Sequence, residues 1–182
     1  CGEVDGPAHR VDVGPLYGAR PSRKLTRGPL AGVGQRLFLG QRGNSAEGRN
    51  ALIELDMPAA MLAIEQGRPW TADLVLETRP LGLGEVMGVR LTLTDLSPYG
   101  PDHLLIAAAA EDTDNPYDDG AVLGSVLGRF SLLNGEMTMV SLDGPWKVEG
   151  VELLDDGRIL MVTDGDDPHA PALLLEARGV VF

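Results

Sequence analysis

The sequence predicts a mainly β protein, an antiparallel β-sandwich or barrel of about 8–10 strands with one or two short helices. Three observations carry this prediction. The 182 residues include 24 Gly and 13 Pro, which favours many short elements separated by turns. Short segments that alternate apolar and polar side chains recur along the chain. Two pairs of such segments flank glycine-containing turns that are typical of β-hairpins.

The chain is predicted to divide at residue 35. Residues 1–35 follow neither the strand nor the helix period, and their four prolines recur with glycines nearby. We expect an extended, membrane-proximal arm there and a single β domain over residues 36–182. The first 49 residues hold 8 Lys/Arg and 4 Asp/Glu, whereas the remainder holds 7 and 23. Because the acidic body repels phosphate backbones, the sequence predicts no nucleic-acid partner.

The first elements of the domain are two strands and a helix. Residues 36–40 and 51–57 are predicted as strands, and residues 58–66 as a short helix. Pro58 in the first turn, Asp56 as the N-cap and Gly67 after the last turn support this helix. A continuous helix over residues 45–66 is the rival interpretation, but Pro58 would break it.

The strand signals become clear after Trp70. Residues 71–78 and 86–96 alternate, and residues 104–110 form a continuous apolar run that is typical of a strand buried on both faces. Asn134-Gly135 and Asp155-Asp156-Gly157 predict two hairpins. The corresponding strands, with two more at the end of the chain, are predicted at residues 130–133, 136–140, 146–154, 158–163, 172–177 and 180–182.

The single cysteine of the chain is its first residue, and Gly2 follows it. This terminus resembles that of mature bacterial lipoproteins, in which a signal peptide is removed before a cysteine. The resemblance implies that Cys1 carries a diacylglycerol and a fatty acid such as palmitate. It also implies anchoring to a membrane of the bacterial envelope, on the periplasmic or another extracytoplasmic face, and Gly2 favours the outer membrane. A fragment that happens to begin at a cysteine is the alternative.

An acidic segment over residues 111–120 is a candidate Ca²⁺ site. Clustered carboxylates are hard oxygen ligands that suit Ca²⁺, and the candidate ligands are Asp112, Asp114, Asp118 and Asp119. Pro116 and Tyr117 do not fit an EF-hand register, and a solvated acidic loop is the simpler interpretation. The sequence predicts no other metal or cofactor.

Two features are candidates for binding protein partners. One is the basic cluster of the arm, formed by Arg20, Arg23, Lys24 and Arg27. The other is a stripe of Gly120, Gly124 and Gly128, which would share one face if this segment were helical. A loop or short helix packed on the domain's own sheet is the alternative, because each glycine weakens a helix by about 1 kcal/mol.

The sequence contains no motif that identifies a catalytic reaction. The G-x-S-x-G, S-x-x-K and P-loop patterns are absent. These absences favour a non-catalytic protein over an envelope hydrolase. The leading hypothesis is a lipid-anchored accessory or structural subunit that binds other envelope or integral membrane protein subunits through its arm and β domain. The alternative is a lipoprotein β-barrel that binds a lipid or other apolar molecule in a deep apolar cavity.

Overall fold

The structure, a computed structural model, describes residues 10–17, 26–43, 49–112, 121–164, 169 and 171–182. These residues form twelve strands in three antiparallel sheets, with one α-helix and two short 3-10 helices. The predicted fold class, a mainly β protein with antiparallel sheets, is therefore confirmed. One sheet is curled into a half-barrel.

The first sheet has four strands in the order β1-β2-β3-β4. They are β1 (Thr26–Val33), β2 (Arg36–Arg42), β3 (Ala51–Asp56) and β4 (Val75–Pro80). The predicted strands at residues 36–40 and 51–57 are confirmed, whereas residues 71–78 begin with a 3-10 helix, Ala72–Leu74, before β4. Gly34 makes the tight turn from β1 to β2, because its φ of 59° lies in the left-handed region that favours glycine.

The predicted boundary at residue 35 is wrong, because β1 is a full partner of β2. Val33 lies opposite Arg36 and Thr26 opposite Arg42, so residues 26–33 belong to the sheet. The strand escaped prediction because its register shifts between Arg27 and Leu30, where a glycine and a proline interrupt the alternation.

The helix α1 (Met57–Glu65) covers the outer face of the first sheet, as the sequence predicts for residues 58–66. Asp56 caps it, since the carboxylate accepts a hydrogen bond of 2.9 Å from the backbone N–H of Ala59. Ala60 and Ala63 pack in a core with Trp70, whose indole N–H donates to the carbonyl of Ala60 at 3.1 Å.

Part of the predicted arm lies along the domain itself. Residues 10–17 end in a 3-10 helix, Gly14–Tyr17, and Leu16 is buried in the core beneath α1. The backbone N–H of Trp70 donates to the carbonyl of Asp12 at 2.9 Å. This stretch is therefore ordered by contacts with its own chain.

The middle sheet has the strand order β5-β6-β7-β8-β9. Its members are β5 (Glu85–Val86), β6 (Val89–Pro98), β7 (His103–Asp112), β8 (Ala121–Ser131) and β9 (Met137–Ser141). The prediction for residues 104–110 is confirmed, because β7 is the central strand and residues 104–110 are buried without a break. A turn at Met87 and Gly88 divides the strand predicted over residues 86–96.

The segment that would carry the glycine stripe is not helical, because Gly124 and Gly128 lie in strand β8. Gly124 has a φ of 153° and sits where the register between β7 and β8 shifts, a bulge that glycine accommodates. A Cβ on Gly128 would approach the sulfur of Met137 to 3.2 Å, so Gly128 leaves room for the β9 side chains. Gly120 lies outside the described residues.

The third sheet has three strands, β10 (Val148–Leu153), β11 (Ile159–Thr163) and β12 (Leu174–Ala177). Both predicted hairpins are confirmed: β8 and β9 are joined at Gly135, and β10 and β11 at Gly157. Residues 180–182, predicted as a strand, are not one, although Val180 and Phe182 pack against the core under this sheet.

The middle sheet is covered on both faces. On one face, Leu93 and Ile106 pack with Phe38 of the first sheet. On the other face, Leu105 packs with Ile159 of the third sheet. The alanines at positions 107–110 have no exposed surface, and their small side chains let the neighbouring sheets approach β7 closely.

Candidate functional site

A groove of about 590 Å³ opens at the end of the molecule where β6 ends and β7 begins. We call it the end groove. One wall is the β6–β7 turn and the other is the β10–β11 turn. Its chemically functional lining residues are Tyr99, His103, Arg129, Glu152 and Asp155.

The aromatic wall of the end groove is built by Tyr99 and His103. Their ring centroids lie 6.4 Å apart in an edge-to-face arrangement, and the backbone N–H of Tyr99 donates to the carbonyl of His103 at 2.9 Å. The Tyr99 ring also meets Phe182 edge-to-face at 5.7 Å. The end of the chain therefore supports this wall from behind.

The carboxylate of Glu152 is held by a buried hydroxyl. Ser97 Oγ donates to Glu152 Oε2 at 2.8 Å, and Ser97 is only 1% exposed. Beside it, Asp95 Oδ2 accepts a hydrogen bond of 2.7 Å from the backbone N–H of Val151. Strands β6 and β10 are thus joined by side-chain bonds directly beneath the groove.

Burial raises the pKa of Asp95 above its ordinary value of 3.8. The N–H groups of Val151 and Leu96 act in the opposite direction, and the nearby carboxylate of Glu152 raises the pKa of Asp95 further. The protonated form of Asp95 is therefore favoured in the folded protein relative to the unfolded chain.

Asp95→Asn is expected to change how stability depends on pH. Between pH 3.8 and the raised pKa of Asp95, the native state binds more protons than the unfolded chain. The contribution of Asp95 is therefore complete below pH 3.8 and is lost as the pH rises through the raised pKa. In urea unfolding at a series of pH values, the free energy of unfolding of the variant should rise relative to that of wild type as the pH increases from 3.8 through the raised pKa of Asp95.

Asp156→Asn provides a control of opposite sign. The carboxylate of Asp156 accepts hydrogen bonds from the backbone N–H and from the guanidinium of Arg158, and these bonds, the backbone one foremost, lower its pKa below 3.8. The contribution of Asp156 to the free energy of unfolding is present above pH 3.8 and is lost as the pH falls through the lowered pKa of its carboxyl group. A difference between Asp95→Asn and wild type that stays constant with pH would contradict the role given to Asp95.

The end groove combines charges of both signs. Arg129 supplies a guanidinium, Glu152 and Asp155 supply carboxylates, and His103 adds an imidazole. Such a lining can bind a ligand that carries both charges, such as a polypeptide segment.

The hydroxyl of Ser125, outside the groove, is buried and fully occupied by the backbone. It donates to the carbonyl of Trp146 at 2.6 Å and accepts from the N–H of Val148 at 3.2 Å.

A second cluster of charges lies at the opposite end of β7. Arg42 Nη2 lies 3.3 Å from Glu111 Oε1 and 3.5 Å from Glu149 Oε1. Lys147 Nζ lies 3.4 Å from Glu111 Oε2 and 3.8 Å from Glu149 Oε1. The Lys147 side chain is only 6% exposed. This largely buried ion cluster connects β2, β7 and the start of β10.

The structure describes few of the site residues predicted from the sequence. Asp112 is exposed at the end of β7, the backbone of Arg27 pairs with Gln41, and Gly124 and Gly128 lie in β8. The remaining predicted residues lie outside the described ranges, and they are Cys1, Arg20, Arg23, Lys24, Asp114, Asp118, Asp119 and Gly120. Within the described ranges, no group of three or more His, Cys, Asp or Glu side chains could hold a metal ion.

The sequence did not predict the end groove. Its residues come from the β6–β7 turn, β8 and the β10–β11 turn, so no local spacing joins them. The only local signals were the turn residues Pro98 to Gly100 and the hairpin at Asp155, and both predict a turn rather than a site.

Comparison with known proteins gives a family without a known function. In the part of the chain that the structure describes, no helix is long and apolar enough to cross a membrane. No curated protein and no solved structure matches the chain significantly. One family model, described as a family of unknown function, matches residues 21–168, which is most of the sequence. The chain therefore belongs to the family of unknown function DUF6910.

Proposed function

We propose that this protein is a non-catalytic binding subunit of a bacterial envelope complex, and that the end groove holds a charged segment of its protein partner. The observation that carries the proposal is the lining of the groove. Arg129, Glu152 and Asp155 place both signs of charge around one cavity, with Tyr99 as an aromatic wall. Tyrosine and arginine are the residues in which binding energy concentrates at protein interfaces.

The groove is suited to binding without rearrangement. Ser97 and Asp95 tie β6 to β10 beneath it, and the aromatic wall is supported by Phe182. Side chains held in place before binding lose little conformational entropy when the partner arrives. A partner segment would therefore meet a preformed surface.

The cellular part of the proposal is a lipid anchor on Cys1 at the extracytoplasmic face of a bacterial membrane, with the outer membrane favoured. This remains a prediction from the sequence. Anchoring would raise the effective concentration of the subunit beside a membrane-bound partner, so a shallow groove would suffice for stable association. The basic residues Arg20, Arg23 and Lys24 would favour the neighbourhood of anionic headgroups.

The alternative, a carrier of an apolar molecule, receives less support. It calls for a deep cavity lined by Leu, Val and Met. The end groove instead exposes Arg129, Glu152 and Asp155, and Leu93 and Leu105 fill the two faces of the middle sheet. A charged, open groove suits a polypeptide better than a lipid chain.

Site-specific photo-crosslinking in the native host tests the proposal. A photoreactive residue at position 155 is expected to yield one discrete crosslinked protein, and the same probe at exposed Leu62 on α1 is expected to yield none. Adding Arg129→Gln should reduce the yield about tenfold, the effect of 1.4 kcal/mol of lost binding energy.

Thermal denaturation provides the control for that experiment, since Arg129→Gln should unfold at the same temperature as wild type. Identical products from positions 155 and 62, or a yield indifferent to Arg129, would overturn the proposal. A purified protein that hydrolyses a substrate in the groove would overturn its non-catalytic part.

A further inference from the structure

Within the described residues, the outer edge of β9 carries backbone groups without a partner, and the hydrogen bonds at the two ends of the strand show which groups these are. The N–H of Ser131 donates to the carbonyl of Glu136 at 2.8 Å, and the N–H of Leu142 donates to the carbonyl of Ser125 at 2.9 Å. Backbone groups alternate in direction along an antiparallel strand. Residues 136, 138, 140 and 142 therefore face β8, whereas Met137, Met139 and Ser141 direct their N–H and C=O groups outward.

No described residue takes up these outward groups. The order of the middle sheet places β9 at its edge, and Thr138, Met139 and Ser141 are exposed. The strand reads Met-Thr-Met-Val-Ser, without charge or proline. Edge strands normally carry one of these, because an unguarded edge pairs with other chains.

Every other sheet edge in the described residues has such protection. β1 is interrupted by Pro29, and β4 ends at Pro80 and carries the Glu77–Arg79 ion pair. β5 has only two residues. On β10, the N–H of Val151 is taken by Asp95.

β12, the last of these edges, has four residues and carries Glu176, which pairs with Arg158 and Arg178. β9 is therefore the exception among the six edges of the three sheets. This contrast singles out β9 as a surface on which a further strand can pair.

The charge around β9 indicates which strand would fit. Exposed Glu136 precedes β9 and exposed Asp143 follows it. If β9 paired antiparallel with β9 of a second copy about Met139, Glu136 of one copy would lie opposite Leu142 of the other, one residue from Asp143. Each copy also carries a net charge of −12. Repulsion therefore disfavours a second copy and favours a strand with Lys or Arg at both ends.

We propose that the edge of β9 accepts an extended segment of a protein partner, uncharged in its middle and basic at its ends, as a sixth strand of the middle sheet. The inference rests on the proposed binding function and supplies it with a second contact. The two surfaces are continuous, because Thr138 on β9 lies directly opposite Arg129 of the end groove. Only β9 would lie between an added strand and Arg129 of β8.

The test uses the full chain and a fluorescent peptide, Lys-Val-Thr-Val-Thr-Val-Lys, with blocked termini. Fluorescence anisotropy is expected to give a Kd below about 1 mM, or −4.1 kcal/mol. Met139→Pro should weaken binding at least tenfold, because it removes an outward N–H without touching the bonds to β8. Met139→Leu keeps that N–H and should bind like wild type. A peptide with Glu in place of both Lys should bind at least several-fold more weakly.

Hydrogen exchange provides a second readout that does not depend on the folding of the proline variant. The amides of Met137, Met139 and Ser141 should exchange fast in the free protein and slow down when the peptide binds. Equal binding by Met139→Pro and Met139→Leu would overturn the inference, as would protection of these amides without peptide. Protection that grows with protein concentration alone would assign the edge to a second copy and overturn the partner class. If peptide binding is absent while position 155 still crosslinks, the edge fails and the groove stands.

Discussion

Lys147→Met is expected to lower the free energy of unfolding by about 3 kcal/mol, at the low end of the cost of breaking a buried ion pair. Lys147 is only 6% exposed and approaches both Glu111 and Glu149. Its removal would take one cation away from the partly buried carboxylates of Glu111 and Glu149, which also pair with the guanidinium of Arg42. Because that guanidinium still compensates part of the charge, the loss should not reach the upper end of the range. Urea unfolding at neutral pH measures it.

Arg178→Met is the matched control. Arg178 also pairs with a glutamate, Glu176, but its side chain is 73% exposed. An ion pair in full contact with water contributes little to stability, so this variant should unfold close to wild type. Lys147→Met combined with Glu149→Gln should recover part of the lost stability, because it removes one of the two negative charges that Lys147 neutralises. Equal effects of Lys147→Met and Arg178→Met would show that the cluster adds no more than a surface pair.

Phe38→Ala is expected to lower the free energy of unfolding by about 3–5 kcal/mol. Phe38 has no exposed surface and packs between the first and middle sheets with Leu93 and Ile106. The chain holds only three phenylalanines, so the core depends on aliphatic side chains that cannot easily fill the space an aromatic ring leaves. Urea or thermal unfolding followed by far-UV circular dichroism measures the effect.

Leu76→Ala, in the same sheet, separates burial from strand propensity. Leu76 lies on β4 and is 58% exposed, so its truncation should change stability by less than about 1 kcal/mol. Phe38→Leu should fall between the two. A loss below about 1 kcal/mol for Phe38→Ala would contradict the assignment of Phe38 to a core that joins two sheets.

The predictions from sequence succeeded where all the residues that determine an element lie within one short segment. Asn134-Gly135 lies in the turn of residues 132–135 between two adjacent strands, and a hairpin forms there as the sequence predicts. Asp56 and Pro58 act within the first turn of α1, and the helix begins where they indicate. The apolar run at residues 104–110 predicts a doubly buried strand, and β7 is the central strand of the middle sheet.

The failures arose where a neighbouring strand decides the conformation. β1 contains Gly28 and Pro29, yet β2 holds it in a bulged antiparallel pair. In β8, Gly124 and Gly128 have a spacing that would share one face of a helix, but β7 and β9 pair with this segment on both sides. Pairing with a formed strand outweighs a weak local preference.

The sequence by itself determined a mainly β domain, its two hairpins, its capped helix and its most buried strand, because these depend on side-chain period and turn chemistry over a few residues. Only the tertiary structure determined the end groove, the buried ion cluster and the position of β9 at the edge of the middle sheet. Arg129 and Glu152 line the same groove although they are more than twenty residues apart in the sequence. Arg42 and Lys147 pair with the same glutamate, Glu149, although they are more than a hundred residues apart. The order of the strands brings them together, and that order follows from how the three sheets cover one another.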